Sequence, residues 1–321
     1  MKIAVFAPNV GLDRIGFLPE LELGAVLRFR AVVASAGGKG VNVARAARAF
    51  GVPTVVVGLL GGWIGRLIVE LASSEGLDLR PSWIDGETRV NTVVLEDNGR
   101  VTVLNDPGPE LRPEFGRALL EDLVPELEGS DLLVVTGSLP PGLAPALYGD
   151  AVRVGRASGR PVIVDATGEA LRVALRDNPD IVTPNVFEAE SALGWSTAEL
   201  VTAERRELKR RAVAAARALV VGCRRAAIVK AGAAGAAVAT AGSVWFVPAP
   251  EVHVCNPIGA GDAFVAGLAV GLLRHWPLVE AVRLAVAAGS ASVETVQPGA
   301  LDRRRVEELF ALVAARAPEL S

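Results

Sequence analysis

Short runs of apolar, β-branched residues alternate with longer stretches of helical spacing along most of this chain. Lys2–Phe6, Thr54–Val57, Leu132–Val135, Val162–Val164, Ile181–Val182 and Ala227–Val229 are apolar at consecutive positions after the leading Lys2 and Thr54, as expected of strands buried on both faces of a parallel sheet. Val43–Phe50, Ile64–Ser74, Glu114–Leu123, Ala203–Val221, Ala260–Leu273 and Leu278–Val293 have helical spacing, with Gly51 placed as a C-terminal cap. The alternation predicts an α/β fold of three layers, a mostly parallel sheet covered by helices on both sides.

Two segments break the rhythm. Residues 12–35 and 85–106 are rich in short apolar runs, and in the second of them Val90–Leu95 and Val101–Leu104 flank Asp97-Asn98-Gly99, a hairpin-type turn. They predict a small β-sheet inserted as a lid into one core domain formed by residues 1–11, 36–84 and 107–321. No linker rich in Pro, Gly or Ser divides the chain, and no repeat of fixed period is present. Alanine-rich Ala212–Ala218 reads as helix interior.

Composition narrows the chemistry. Hydrophobic residues make up 51% of the chain and charged ones 21%, as in a soluble globular protein, and the longest apolar run, Ala263–Leu273, is glycine-interrupted and too short to cross a bilayer. Met1–Phe6 passes directly into a β-like run without the pattern of a signal peptide, so a cytoplasmic location is expected. A net charge of −3 supplies no general attraction for nucleic acid or for an anionic membrane, which leaves a small molecule as the expected partner. Cys223 and Cys255 are the only cysteines and His253 and His275 the only histidines, so a disulfide framework, a histidine-rich metal cage and a Ser/His/Asp relay are all excluded. A carboxylate is the natural general base. Of 33 lysines and arginines only four are lysine, and two of those, Lys39 and Lys230, stand beside glycine-rich turns where a compact ammonium has a use.

Two glycine-rich stretches carry the chemistry. In Gly259-Ala260-Gly261-Asp262, glycines ahead of a helix allow the amides of Gly259, Ala260 and Gly261 to converge on an anion, and the helix dipole favours negative charge there. Asp262 reads either as a base that accepts a hydroxyl proton or as a residue that caps the helix. Ala36-Gly37-Gly38-Lys39-Gly40-Val41-Asn42 lets the backbone at Gly38 approach a ligand closely, while Lys39 can contact a phosphate and Asn42 a hydroxyl; on the residues alone, a tight strand-to-helix turn serves equally well. No Walker-type phosphate loop is present.

Together, in this order and at this separation, the two stretches resemble the signatures of the ribokinase-like, PfkB-type carbohydrate kinases, and the likeness covers essentially the whole chain. Further segments are similar to the phosphosugar branch of that family, which includes 1-phosphofructokinase and tagatose-6-phosphate kinase: Asn9–Asp13, Glu87-Thr88-Arg89-Val90-Asn91, Gly137–Gly142 and Asp165–Leu171. The resemblance implies a ribokinase-like fold with a Rossmann-like core, ATP as phosphoryl donor, and a possible homodimer through the β lid. It implies that Asp13, Gly38 and Asn42 hold the sugar, and that Lys39, Arg89 and Ser138 hold the phosphate it already carries. Asn185 and Glu188 in Asn185-Val186-Phe187-Glu188 would organise Mg²⁺, through water, and the nucleotide phosphates, although Asn185 also suits a helix cap. Lys230, with Gly232 and Gly235, falls where the family has Ser or Thr beside the nucleotide, and Thr183 replaces the lysine often found before Pro-Asn. Lys230 then either reaches the ATP phosphates or points to solvent from a strand end. The early Pro8-Asn9-Val10 also departs from the family's usual order around Asp13. The expected reaction is phosphorylation of a ketohexose phosphate, with fructose 1-phosphate placed ahead of tagatose 6-phosphate and fructose 6-phosphate. Kinases of ribose or nucleosides, and a sensor that binds without turnover, are the alternatives.

Overall fold

The computed structural model describes residues 1–195, 204–315 and 319–320. β1 (Ile3–Ala7) runs through the middle of the molecule, and its alternate residues serve opposite faces: Ile3, Val5 and Ala7 join one buried cluster while Ala4 and Phe6 join the other. That double burial is why the strand lacks a polar face in the sequence. β2 (Gly11–Leu18) and β3 (Ala31–Gly37) leave this layer, and the chain returns as α1 (Lys39–Ala49), β4 (Thr54–Leu60), α2 (Gly62–Ser74) and β5 (Asp78–Trp83).

The second excursion is β6 (Val90–Glu96) and β7 (Val101–Asn105), followed by α3 (Pro113–Glu128), β8 (Leu132–Thr136), α4 (Ala146–Ala157), β9 (Val162–Asp165), α5 (Gly168–Arg176), β10 (Ile181–Val182) and α6 (Val186–Leu193). The remainder comprises α7 (Arg205–Leu219), β11 (Ala226–Lys230), β12 (Gly235–Ala239), β13 (Val244–Pro248), α8 (Ala260–Leu273), α9 (Leu278–Ser292), α10 (Arg303–Ala314) and β14 (Glu319–Leu320). The start predicted at Ala203 for the α7 helix lies outside the described residues.

The large sheet has the order β14-β13-β12-β11-β10-β9-β8-β1-β4-β5, parallel from β11 to β5 and antiparallel at the β12, β13 and β14 end. Residues of α1, α8, α9 and α10 pack on one face and residues of α3, α4 and α7 on the other, each with its own buried apolar cluster.

The small sheet has the order β3-β2-β6-β7 and unites the two irregular segments by parallel pairing of β2 with β6. Its strands begin at Gly11 and extend to Gly37, slightly beyond the predicted bounds. The register sets Asp13 opposite both Asn91 and Ser35, which fixes the position of a buried carboxylate within the small sheet.

The first helix starts four residues earlier than its apolar spacing predicts. Gly38 at φ 91° makes the turn, and Gly40 lies within the helix because a Cβ there would come 2.3 Å from the Ala7 Cβ. Close contact of α1 with β1 therefore brings Lys39 and Asn42 into the first helical turn, above the ends of the parallel strands.

Candidate active site

The parallel strands β8, β9, β10 and β11 end at Thr136, Asp165, Val182 and Lys230, and ligands of open α/β sheets bind beyond such ends. A cavity of about 940 Å³ lies there. Its lining includes Asp13, Gly38, Lys39, Asn42, Arg89 and Ser138, the nucleotide-side candidates Asn185, Glu188, Lys230, Gly232 and Gly235, and the turn Gly259-Ala260-Gly261-Asp262. Residues separated by more than two hundred positions thus share one wall.

Gly259, at φ 85°, is the N-cap of α8, and the amides of Gly261 and Asp262 have no protein acceptor among the described residues. The Ala260 amide makes a long contact with the Pro257 carbonyl at 3.4 Å. Unpaired first-turn amides are an anion site in waiting. Asp262 is 5% exposed and its Oδ2 accepts a hydrogen bond from Asn42 Nδ2 at 2.8 Å, while Oδ1 has no hydrogen-bond partner among the described residues. Burial raises its carboxyl to about 7, with Lys39 opposing the rise and Asp165 adding to it. A carboxylate poised near neutrality has the basicity that proton abstraction at physiological pH requires.

Asp165, fully buried at the end of β9, joins the cationic residues. Lys39 Nζ donates to its Oδ2 at 3.2 Å, Lys230 Nζ to its Oδ1 at 2.5 Å, and the Thr183 hydroxyl to Oδ1 at 3.2 Å. Burial works against the charge on Asp165, but Lys230 and Lys39 outweigh it and hold the carboxyl below its ordinary range. Lys39 also donates to Glu188 Oε1 at 3.2 Å. Burial disfavours its ammonium, and Asp165, Glu188 and Asp262 more than compensate, so Lys39 stays charged.

Of the two orientations open to Lys230, the inward one is observed. A Cβ built on Gly261 would lie 3.2 Å from its Nζ, so the ammonium sits against the first turn of α8. A cation at the positive end of a helix is unfavourable unless an anion is close. Asp165 provides one, and a phosphate there would meet both the ammonium and the free amides.

The acceptor side is built by the small sheet. Asp13 Oδ1 accepts from Asn91 Nδ2 at 2.8 Å, and burial raises the Asp13 carboxyl, opposed by Asn91 and by the Gly38 amide. Arg89 Nη2 donates to the Asn9 carbonyl at 2.7 Å, and Asn9 Nδ2 donates in turn to the Ser138 hydroxyl at 2.9 Å. The Arg89 Nε is buried without a partner among the described residues, and burial lowers the guanidinium from its ordinary value against the pull of Asp13 and Asp106. A buried donor left unpaired beside a cavity is costly unless a ligand meets it. Lys39, expected to act with Arg89 and Ser138, is instead grouped with Asp165, Glu188 and Lys230.

Asn185 and Glu188 form a capping box on α6: Asn185 Oδ1 accepts from the Glu188 amide at 2.9 Å, and Glu188 Oε2 from the Asn185 amide at 2.8 Å. The helix cap read in the sequence is present, and it leaves Glu188 Oε1 to reach Lys39. The sequence alone assigns no role to Asp165, Asn9 or Asn91. A lone acidic residue closing an otherwise apolar strand, as in Val162-Ile163-Val164-Asp165, is the signal that marks the first of them.

The raised Asp262 carboxyl has a consequence for stability. Between its unfolded value of 3.8 and its folded value of about 7 the native state binds a proton that the unfolded chain releases, and above 7 it carries a buried charge. The cost is absent below about pH 4 and complete above pH 7. Asp262→Asn is therefore expected to raise Tm at pH 8, by a free energy on the order of a few kcal/mol, and to leave it unchanged near pH 4. Thermal unfolding of the two proteins at both pH values checks this, and an equal effect at both would contradict it.

A family profile described as pfkB family carbohydrate kinase matches residues 5–303. The chain is 31% identical over 312 residues to the 1-phosphofructokinase of Escherichia coli K12, covering 97% of each protein. It is 30% identical over 304 residues to a tagatose-6-phosphate kinase of Staphylococcus epidermidis, covering 94% of this chain and 95% of that one. Phosphofructokinase-2 from E. coli in complex with fructose-6-phosphate superposes with a TM-score of 0.85 at 28% identity, covering 98% of this chain and 99% of the other.

Proposed function

The chain belongs to the pfkB family of carbohydrate kinases, which use ATP, and from that premise we propose that its cavity transfers the γ-phosphoryl group of ATP to a hydroxyl of fructose 1-phosphate. The coarser reading, an ATP-dependent kinase of a phosphorylated sugar, follows from the family and from relatives named for phosphosugar substrates. The observation that carries it is the pair of cationic anchors in one cavity: Lys39 and Lys230 beside the α8 amides, and Arg89 with its unpaired Nε beside Asp13.

Asp13 and Asn91 hold sugar hydroxyls, and Arg89 with Ser138 holds the phosphate already present. Asp262 Oδ1 accepts the proton of the acceptor hydroxyl as its oxygen attacks the γ-phosphorus; the new P–O bond forms as the bond to the ADP oxygen breaks. The free amides of α8 and the ammoniums of Lys39 and Lys230 stabilise charge on the phosphoryl oxygens, so catalysis rests on positioning and electrostatics. The oxygen donors suit Mg²⁺, since a hard ion that retains water needs only one or two carboxylates, and Glu188 is the residue that would hold it. Bound there, Mg²⁺ would neutralise phosphate charge. The small sheet serves as a lid, and its exposed Val32 and Leu104, on the face turned away from the cavity-lining Val93 and Val103, form the surface through which a homodimer would assemble; sedimentation equilibrium tests that assembly.

Phosphate anchoring is tested by thermal shift. Fructose 1-phosphate, tagatose 6-phosphate and fructose 6-phosphate are expected to raise Tm well above the effect of fructose or ribose at equal concentration, and equal shifts from phosphorylated and free sugars would contradict it. Lys230→Ser is expected to raise the KM for ATP roughly tenfold, the loss of one charge-assisted hydrogen bond, with little change in the KM for the sugar. An unchanged KM for ATP would confine Lys230 to its pairing with Asp165.

A further inference from the structure

Arg45 stands on α1 one turn beyond Asn42, and the transfer chemistry described above makes no use of it. The residue is 8% exposed, and each of its five N–H groups meets an acceptor. Nε donates to Glu75 Oε2 at 2.6 Å and Nη2 to Glu75 Oε1 at 3.0 Å, which pairs the charge. The other three bonds go to Asn42, which lines the site, and to backbone that abuts its glycine turns: Nη2 to the Ala36 carbonyl at 2.6 Å, Nη1 to the Pro298 carbonyl at 2.8 Å, and Nη1 to Asn42 Oδ1 at 2.9 Å. Ala36 leads into the Gly37-Gly38 turn, and Pro298 packs on Gly259, where an added Cβ would lie 2.9 Å from the Pro298 Cα.

The contact with Asn42 imposes a direction. An amide offers an acceptor oxygen on one side and a donating NH₂ on the other, whereas a guanidinium only donates. Arg45 therefore takes Oδ1, and Nδ2 is turned to Asp262, where it donates to Oδ2 at 2.8 Å. Half a turn of the amide would set NH₂ against the guanidinium and Oδ1 against the carboxylate, replacing two hydrogen bonds by two repulsive contacts. We propose that Arg45 is a positioning residue that locks the Asn42 amide with its NH₂ on Asp262, so that the base keeps a donor in its ionised form. The proposal rests on Asp262 being the base.

Other charged groups face Asp262 as well: Lys39 from α1, Asp165 from the end of β9 and Lys230 from the end of β11, while α9 presents Gly289 and Ser290 to the cavity. Hydrogen bonds tie Arg45 to none of these. Its substitution is thus expected to act on the titration of Asp262 through Asn42, because a hydrogen bond to the charged form favours that form and its loss raises the pKa.

The test is Arg45→Lys, which keeps the positive charge and loses the fork. Carboxyl ¹³C NMR follows Asp262, its signal identified by absence in Asp262→Asn, and the acid limb of kcat/KM is measured in parallel. In Arg45→Lys both are expected to move upward by about one pH unit. Asn42→Ala is expected to give a similar shift, and the double variant no more than Asn42→Ala alone. An unshifted titration in folded Arg45→Lys, or a shift that adds in full to that of Asn42→Ala, would overturn the proposal. Glu75→Gln keeps the guanidinium on Asn42 and is expected to produce no upward shift; if Arg45→Lys does not fold, an upward shift in Glu75→Gln overturns the proposal instead. The NMR readout needs no turnover. A wild-type protein inactive on every sugar would defeat the base assignment even with the NMR shift present, and active protein with an unshifted variant would defeat only the role of Arg45.

Discussion

Asp262→Asn is expected to lower kcat by roughly 10²–10⁴-fold while leaving the affinities for both substrates close to those of the unmodified protein, since removal of a positioned general base costs about that much. The replacement is nearly isosteric, and its amide oxygen can still accept the bond from Asn42, so the first turn of α8, the free amides and the two lysines keep their places. What disappears is an acceptor for the hydroxyl proton. The same assignment fixes the pH dependence. Asp262 must be ionised to act, burial raises its carboxyl to about 7, and kcat/KM is therefore expected to fall as the pH drops through neutrality. Single-turnover and steady-state kinetics of the two proteins provide the check; turnover within a few-fold of normal would remove Asp262 from the base role.

Arg89→Ala is expected to raise the KM for the phosphosugar roughly 10- to 100-fold with a smaller effect on kcat, the range that follows from losing charge-assisted hydrogen bonds to a buried phosphate. The guanidinium is held by the Asn9 carbonyl, and its buried Nε has no partner among the described residues. Truncation therefore removes an anion anchor and leaves the strand pairing of β6 in place. Binding of an unphosphorylated ketohexose should hardly change, which separates loss of the anchor from general damage to the lid. An unchanged KM for the phosphosugar would place its phosphate elsewhere in the cavity.

The inner parallel strands are legible because burial on both faces leaves no polar position in their interiors, whereas the edge strand β5, Asp-Leu-Arg-Pro-Ser-Trp, is half exposed and carries no such run; the two glycine turns are legible because their residue types serve few other purposes together. Other elements were hidden for physical reasons. β12 is Gly-Ala-Ala-Val-Ala, poor in β-forming residues, and becomes a strand because the β11 and β13 ladders on either side enforce it. The apolar spacing starts α1 four residues late because glycine at position 40 argues against a helix, yet close approach to Ala7 demands it. The placement of Lys39 depends on tertiary geometry alone: nothing in Gly38-Lys39-Gly40 indicates that Asp165, 126 residues away, will claim its ammonium. Asn42 and Asp262 were each legible as polar residues in glycine-rich turns, and their hydrogen bond, which joins the two halves of the site, was not.

The most direct measurement is a coupled ADP-release assay with Mg·ATP, comparing kcat/KM for fructose 1-phosphate, tagatose 6-phosphate, fructose 6-phosphate, fructose, ribose and adenosine. The highest value is expected for fructose 1-phosphate, with the other two phosphosugars next and the unphosphorylated compounds far below. Preference for ribose or adenosine, or ADP release with none of the six, would contradict transfer to a sugar that already carries a phosphate.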